Sequence, residues 1–251
     1  MNLEDEIEIL KEKGWIKDTS GFNLTNIEKC VQNCKSPNIE DIFNAFKLFN
    51  ADKTRVLIIG KDPYPDEKYP GKADGLAFSQ NGKKPAVDSL LNIFNAIKEY
   101  NQDFNIDKAD TNLKNWAVSN KILLLNTALT YESENCPHFK YWKDFIDIII
   151  KNLLKRKSRL VILAWGSEAR DCIFRNTKLI KNKGKRKKDT EINIGNNIKM
   201  LYCYHPSPRN KENNPKIDTN LLFSKIAPKH FKFCNEFFEN NGEAGIKWKE
   251  I

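Results

Sequence analysis

Four short apolar runs punctuate the chain: Val56-Leu57-Ile58-Ile59, Ile122-Leu123-Leu124-Leu125, Leu160-Val161-Ile162-Leu163 and Met200-Leu201-Tyr202-Cys203. Each is bounded by polar or turn-forming residues. A run this short with no polar position has no face to offer water, which suits a strand buried on both sides. Between the runs the apolar positions recur at helical spacing, over residues 89–100 and 142–154. Strands that alternate with helices predict a parallel sheet covered on both faces. The expected fold is therefore α/β, a three-layer α/β/α sandwich around a central four-stranded parallel sheet. Residues 1–50 read as an N-terminal helical region. Its clearest helix begins near Asn38-Ile39-Glu40-Asp41 and carries Ile42, Phe43, Phe46 and Phe49 as a core-facing stripe. A last helix is expected over residues 221–238. No internal repeat is found, and residues 1–251 read as a single domain, a length that one α/β core can fill.

Composition sharpens the picture in one respect. The chain carries a net charge of +9, yet residues 1–50 hold nine acids and six bases, a local −3 that leaves +12 on the remainder. Such asymmetry suits a polyanion partner, although a Lys-rich chain shows it in the absence of one. The tract 181–189 (Lys181-Asn182-Lys183-Gly184-Lys185-Arg186-Lys187-Lys188-Asp189) reads as a basic loop close to such a partner, with a targeting signal as the alternative. No apolar run is long enough to span a bilayer, and Met1-Asn2-Leu3-Glu4-Asp5-Glu6 does not resemble the start of a signal peptide. A cytoplasmic protein, nuclear or in a viral factory if the host is eukaryotic, is expected. The six cysteines, Cys30, Cys34, Cys136, Cys172, Cys203 and Cys234, form no CxxC pair and are expected as free thiols; Cys30 and Cys34 are poorly spaced for an iron–sulfur cluster.

In open parallel sheets ligands bind beyond the carboxyl ends of the strands. The residues that follow the four runs are Gly60-Lys61-Asp62-Pro63-Tyr64-Pro65, Asn126-Thr127-Ala128-Leu129-Thr130, Ala164-Trp165-Gly166-Ser167 and Tyr204-His205-Pro206-Ser207-Pro208-Arg209. Taken singly, each polar residue has an ordinary explanation. Asp62 before Pro63 suits a turn, Asn126 or Ser167 suits a helix cap, and His205 suits a satisfied structural histidine. Taken together they bring a carboxylate, a phenol, an amide, a hydroxyl and an imidazole to one edge, and four coincidences are harder to credit than one. His138 and His230 are left as structural or surface residues. A nucleotide-binding protein would need a glycine-rich phosphate loop, which this sequence lacks.

This set of motifs resembles the family 1 uracil-DNA glycosylases. Their water-activating motif Gly-Gln-Asp-Pro-Tyr-His is matched by Gly60-Lys61-Asp62-Pro63-Tyr64-Pro65. Their Leu-Leu-Asn-Thr-x-Leu-Thr strand end is matched by residues 124–130, and their His-Pro-Ser-Pro-Leu-Ser loop by residues 205–210. Gly75-Leu76-Ala77-Phe78-Ser79 and Pro85-Ala86-Val87-Asp88-Ser89-Leu90 match the stacking segment and the Pro-rich loop between them. The likeness runs from about Ser36 to Phe238, with the motifs in family order. Three positions depart: Lys61 stands for Gln, Pro65 for His and Arg209 for an intercalating Leu. Poxvirus-type members look similar at the first and third motifs.

The resemblance implies a base-flipping enzyme that hydrolyses the N-glycosidic bond of deoxyuridine in single- or double-stranded DNA. It implies catalysis by Asp62 and His205, with His205 as a neutral donor to the leaving uracil. Lys61 through its backbone, Tyr64, Phe78 and Asn126 would bind the base, and Ser89, Ser167, Ser207 and Arg209 would contact DNA. No metal and no cofactor is expected. A monomer is expected, with a protein that mimics DNA as a further partner. Two rivals remain at this point: a DNA-binding accessory factor that lost catalysis, and a relative acting on another damaged base.

Overall fold

The computed structural model describes residues 2–82, 85–133, 138–155, 158–177, 191–195, 197–207 and 218–251. Arg209, Cys136 and the basic tract 181–189 lie outside the described residues. All four apolar runs are strands: β1 (Val56–Gly60), β2 (Ile122–Asn126), β3 (Leu160–Trp165) and, as the fifth in chain order, β5 (Ile198–Cys203). A further strand, β4 (Glu191–Gly195), precedes β5 and corrects the expected four-stranded sheet to five. The spatial order is β2-β1-β3-β5-β4; the first four are parallel and β4 pairs antiparallel to β5 at the edge. The physical reason β4 escapes an apolar-run search is its alternation: Ile192 is buried while Glu191, Asn193 and Gly195 are exposed, as suits an edge strand with one wet face.

Alternate residues of the central strands feed two separate cores. Leu57, Ile59, Leu123, Leu125, Ile162, Ala164, Met200 and Tyr202 face one side. There they meet α1 (Leu3–Glu12), α2 (Leu24–Gln32), α3 (Asn44–Lys47), α6 (Phe139–Leu154) and α7 (Ser167–Arg175). Val56, Ile58, Leu124, Val161, Leu163, Leu201 and Cys203 face the other, under α4 (Asp88–Tyr100), α5 (Lys114–Asn120) and α8 (Phe223–Glu239). The expected α/β/α layering therefore holds. Among the described residues, no helix is long and apolar enough to cross a membrane.

The expected helix over the 42–49 stripe is corrected in continuity. Ile42, Phe43, Phe46 and Phe49 are all buried, but the chain makes a 3₁₀ turn at Ile39–Asp41 and then only the single α-turn of α3. Phe43 and Phe46 pack edge-on against Phe145, and Phe43 also meets Trp142, so the stripe is satisfied by tertiary contacts from two short turns. The break leaves the Asp41 carbonyl turned toward Gly75, where a Cβ would lie 1.8 Å from that oxygen.

One buried charge ties α6 to α7, the helix whose start borders the strand edge. Asp147, 6% exposed, accepts Arg175 Nε at 2.6 Å, Asn176 Nδ2 at 2.7 Å and Lys143 Nζ at 3.1 Å. Removing a buried carboxylate leaves its cation and donors unpaired, so Asp147→Ala is expected to cost roughly 2–4 kcal/mol in urea-induced unfolding. A loss below about 0.5 kcal/mol would show that solvent replaces the carboxylate and that the clamp holds nothing.

Candidate active site

The site grows from the carboxyl ends of β1 and β2. The parallel register places Gly60 beside Asn126, so the last residue of each strand reaches the edge together. The chain then continues as two locked turns. Thr127 and Ala128 donate their N–H groups to the Gly60 and Lys61 carbonyls at 3.1 and 3.0 Å, and Thr127 Oγ1 donates to the Lys61 carbonyl at 2.8 Å. These bonds consume the Lys61 backbone oxygen, while its side chain turns out to solvent. Gly60 has to be glycine for a local reason: a Cβ there would lie 2.3 Å from Asn126 Oδ1 and 3.0 Å from Ala77 Cβ. Asn126 is 5% exposed, and its amide has no hydrogen-bond partner among the described residues. A nearly buried amide in that condition is ready for a polar ligand.

Residues 75–78 form the neighbouring wall. Ala77 N–H donates to the Leu124 carbonyl at 3.1 Å, which docks the segment onto β2. Phe78 adopts a left-handed φ of 65° and its carbonyl accepts the Tyr64 hydroxyl at 2.8 Å. Burial, then the nearby Asp74 and Tyr69, push the Tyr64 phenol well above its ordinary range, so it stays a donor. Tyr64 is held from behind as well, its own carbonyl accepting Ser36 Oγ at 2.6 Å. Pro65, where the family motif has His, heads a turn through its carbonyl, which accepts the Tyr69 N–H at 2.8 Å.

His205 enters from the end of β5. Its ring lies 5.6 Å from that of Phe78, and Gly166, at φ +112°, leaves room for it, since a Cβ on Gly166 would be 3.2 Å from His205 Cβ. The Ser207 backbone N–H donates to His205 Nδ1 at 3.0 Å. An imidazole nitrogen that accepts a hydrogen bond carries no proton, so in this arrangement the ring is the neutral tautomer with its proton on Nε2. The residue 205–207 segment is braced by Asn92 of α4, whose Nδ2 donates to the Pro206 carbonyl at 2.7 Å. A cavity of about 340 Å³ lies behind this segment, among Asn92, Asn95, Glu99, Ser207 and Phe223. His205 and Pro206 line it as well, so it adjoins the site on the side of the 205–207 segment.

Asp62 sits at the mouth of the Asn126–Phe78 recess. Its side chain keeps 38% of its surface open and lies 3.9 Å from Lys61 Nζ. The surrounding protein nevertheless disfavours its charge and raises its pKa; Lys61 pulls it back down and Glu168 pushes it up. Glu168 itself is held below the ordinary carboxylate range. Its partial burial acts to raise it and is outweighed by the hydrogen bond from Ser167 Oγ at 2.8 Å, its own backbone N–H, and the attraction of Lys61.

Of the three serines expected at DNA, Ser89 and Ser167 lie in the first turns of α4 and α7, where free N–H groups favour anions. Ser207 lies in the loop after β5. The Ser167 hydroxyl is already given to Glu168. Thus the structure brings Tyr64, Phe78, Asn126 and His205 together at the strand edge, with Asp62 near Glu168, Ser167 on Glu168 and Ser207 on His205, while Ser89 lies on α4 one turn before Asn92. Sequence reasoning missed Glu168, Ser36 and Asn92. Glu168 had one available signal, its place directly after Ser167; Ser36 and Asn92 act through backbone carbonyls distant in sequence and left none. His138 and His230, expected as structural or surface residues, are both interior. His138 bridges Thr130 and Glu132 at 2.8 and 3.2 Å, and burial lowers the His230 pKa to about 3. Among the described residues, no group of three His, Cys, Asp or Glu side chains is placed to hold a metal ion.

Residues 46–238 match the family model described as the Uracil DNA glycosylase superfamily. A uracil-DNA glycosylase of Pseudomonas fluorescens (strain Pf0-1) is 34% identical over 211 residues, covering 83% of this chain and 77% of that protein. One of Bacteroides thetaiotaomicron is 34% identical over 210 residues, covering 82% and 80%. Among solved structures, mimivirus uracil-DNA glycosylase superposes with a TM-score of 0.70 at 23% identity, covering 99% of this chain and 89% of that one. With the family model spanning most of the chain and curated relatives at this identity, the chain belongs to the uracil-DNA glycosylase superfamily.

Proposed function

We propose that this recess hydrolyses the N-glycosidic bond of deoxyuridine in DNA by the family 1 mechanism, releasing free uracil and leaving an abasic site for base-excision repair. A base inside a duplex is stacked, so it must be turned out into a pocket before its glycosidic bond is accessible. Phe78 offers the flipped ring an aromatic face. The Asn126 amide donates to uracil O4 and accepts N3–H. Cytosine presents the reverse pattern and would leave both partners unmatched, which is a strong basis for rejection. Tyr64, fixed at both its hydroxyl and its carbonyl, fills the place a thymine methyl would need.

Bond cleavage leaves positive charge on the sugar and negative charge on the departing uracil. Asp62, ionised, stabilises the cation and orients the attacking water. His205 donates from Nε2 to uracil O2. The observation that carries this reading is the Ser207 N–H on His205 Nδ1, because it supplies a neutral imidazole with the donor the chemistry requires. Ser89, Ser167 and Ser207 fit phosphate contacts, with Ser167 released from Glu168 when DNA binds. Arg209 departs from the family's intercalating Leu, and its long apolar stem and planar guanidinium are proposed to fill the vacated stack in its place. A mimivirus UNG variant has been crystallised in complex with UGI; a protein mimicking DNA is proposed to bind the same face here.

The deciding assay is release of free uracil from a labelled oligonucleotide in the presence of EDTA. Full activity is expected; loss on chelation with recovery on adding a divalent ion would overturn the metal-free mechanism. In that assay Asp62→Asn and His205→Leu should each lower kcat by roughly two orders of magnitude or more, while DNA affinity falls far less. Near-normal turnover in either variant would mean that the catalytic groups lie elsewhere.

Gly60→Ala tests the register. The added methyl must displace the Asn126 amide, and uracil binding should weaken by roughly 10- to 100-fold, read as the inhibition constant of free uracil. An unchanged constant would place the base away from Asn126.

The acid limb of activity follows from Asp62. Its folded pKa lies above the ordinary 3.8 and it works ionised, so activity is lost as pH falls through that raised value. Glu168→Gln removes one cause of the increase, and the limb should move to lower pH. A limb that stays in place would show that Glu168 does not act on Asp62.

A further inference from the structure

Phe78 is held in a conformation that a bulky residue seldom adopts. Its φ of 65° belongs to the left-handed region, where a side chain crowds the backbone. Phe78 also does two jobs in the recess. Its ring lies beside His205, where the proposed reading puts the base, and its carbonyl anchors Tyr64. Something in the surrounding structure has to impose this backbone.

The described contacts identify it. Asp74, 5% exposed, extends one carboxylate oxygen to each side of the Phe78 turn. Leu76 N–H donates to Oδ1 at 3.1 Å, and Ser79 Oγ donates to Oδ2 at 2.5 Å. Ser79 Oγ in turn accepts the Leu113 N–H at 2.9 Å, which ties the turn to the start of α5. Asn44 Nδ2 donates to the Asp74 carbonyl at 3.0 Å, and Gly75, at φ +84°, lets the chain pass against the Asp41 carbonyl. The carboxylate thus bridges residues 76 and 79 across the one residue whose backbone is unfavourable.

We propose that Asp74 is a positioning residue for uracil excision, its two oxygens pinning residues 76 and 79 so that Phe78 presents its ring to the base and its carbonyl to Tyr64. This rests on the reading of Phe78 as the stacking residue. Ionisation matters because both contacts are donors. Ser79 Oγ accepts from Leu113 and donates its own proton to Asp74. A protonated Asp74 has one acceptor fewer and brings a competing donor into the same bridge.

Burial raises the Asp74 pKa to about 6, against the opposing pull of Ser79 and Leu76, with Asp41 raising it further. The titratable groups facing it are Asp41 and, from the turn after β1, Tyr64. Activity and stability should respond in opposite senses. The folded state binds this proton more tightly than the unfolded chain, so as pH falls through about 6 this group makes folding more favourable while the pinned turn relaxes. A loss of activity caused by this group therefore does not act through unfolding.

The test uses the full-length protein, free uracil as the pocket probe and an undamaged duplex as the control for DNA binding. Asp74→Asn should raise the inhibition constant of uracil and lower kcat/KM by roughly 10- to 100-fold, because a displaced ring misplaces the base. Affinity for the undamaged duplex should stay at the wild-type value. The inflection in kcat/KM near pH 6 should disappear from the variant. Phe78→Ala separates the two layers of the proposal. If it raises the uracil constant while Asp74→Asn keeps both the wild-type constant and the wild-type pH profile, the role of Asp74 is overturned and the stacking assignment survives. If Phe78→Ala leaves the constant unchanged, the stacking assignment falls and Asp74 with it. Should Asp74→Asn fail to accumulate as folded protein, Ser79→Ala decides, since it breaks one arm and keeps the carboxylate. A weaker uracil affinity supports the bridge, and a wild-type constant overturns it.

Discussion

The parallel register that sets Gly60 against Asn126 is the constraint from which the site follows. A parallel sheet ends its strands at one edge, so whatever follows each strand is delivered to a common place. Here the delivery is made tight by an omission. With no side chain at Gly60, the Asn126 amide lies directly against the β1 backbone, and Ala77 closes in from the other side. The next two carbonyls of the β1 turn are then taken up by the β2 turn, so neither loop is free to drift from the other. Precision at the edge comes from backbone pairing, which is less tolerant than side-chain packing and does not depend on how far the outer loops extend.

Electrostatics at the mouth of the recess is balanced between opposing charges. Asp62 is drawn toward its neutral form by the protein around it and toward its charged form by Lys61. Glu168 adds a second negative charge close by and is itself stabilised in the ionised form by Ser167 and Lys61. A site that must meet a positively charged sugar and also the negative backbone of DNA faces a conflict: carboxylates favour the first and repel the second. Setting one acid on the turn after β1 and the other at the start of α7, beside Ser167 and a free helix N-terminus, places attraction and repulsion on different elements.

Much of this is legible in the sequence. The four apolar runs are strands because nothing else buries four consecutive apolar residues so cheaply, and their polar successors share one edge because parallel strands end together. The edge strand β4 was not legible by the same rule, since Glu191-Ile192-Asn193-Ile194-Gly195 alternates and buries one face only. The stripe from Ile42 to Phe49 gave the correct burial and the wrong continuity, because two short turns can satisfy the same spacing when Phe145 and Trp142 supply the partners. In the site, the motif residues Asp62, Tyr64, Asn126 and His205 end or follow the strands that carry them, as parallel strands ending together require. Residues that work by holding a carbonyl, such as Ser36 and Asn92, carry no signature, because the atom they hold is the same in every amino acid.

The same distinction explains the state of His205. Glu168 is a carboxylate close enough to favour a charged ring, and the chain opposes it with a fixed donor. That donor is a backbone N–H two residues further along the chain. A backbone donor cannot ionise or change its bonding preference with pH, so it defines Nδ1 as an acceptor wherever the 205–207 turn is intact. The chain brings that turn into place through Asn92 on α4 and makes space for the ring by leaving Gly166 bare. In the proposed reaction the departing base gains negative charge at an oxygen. A neutral donor held in this way has little reorganisation to undergo as that charge develops, and preorganisation of this kind is where such sites gain most of their rate.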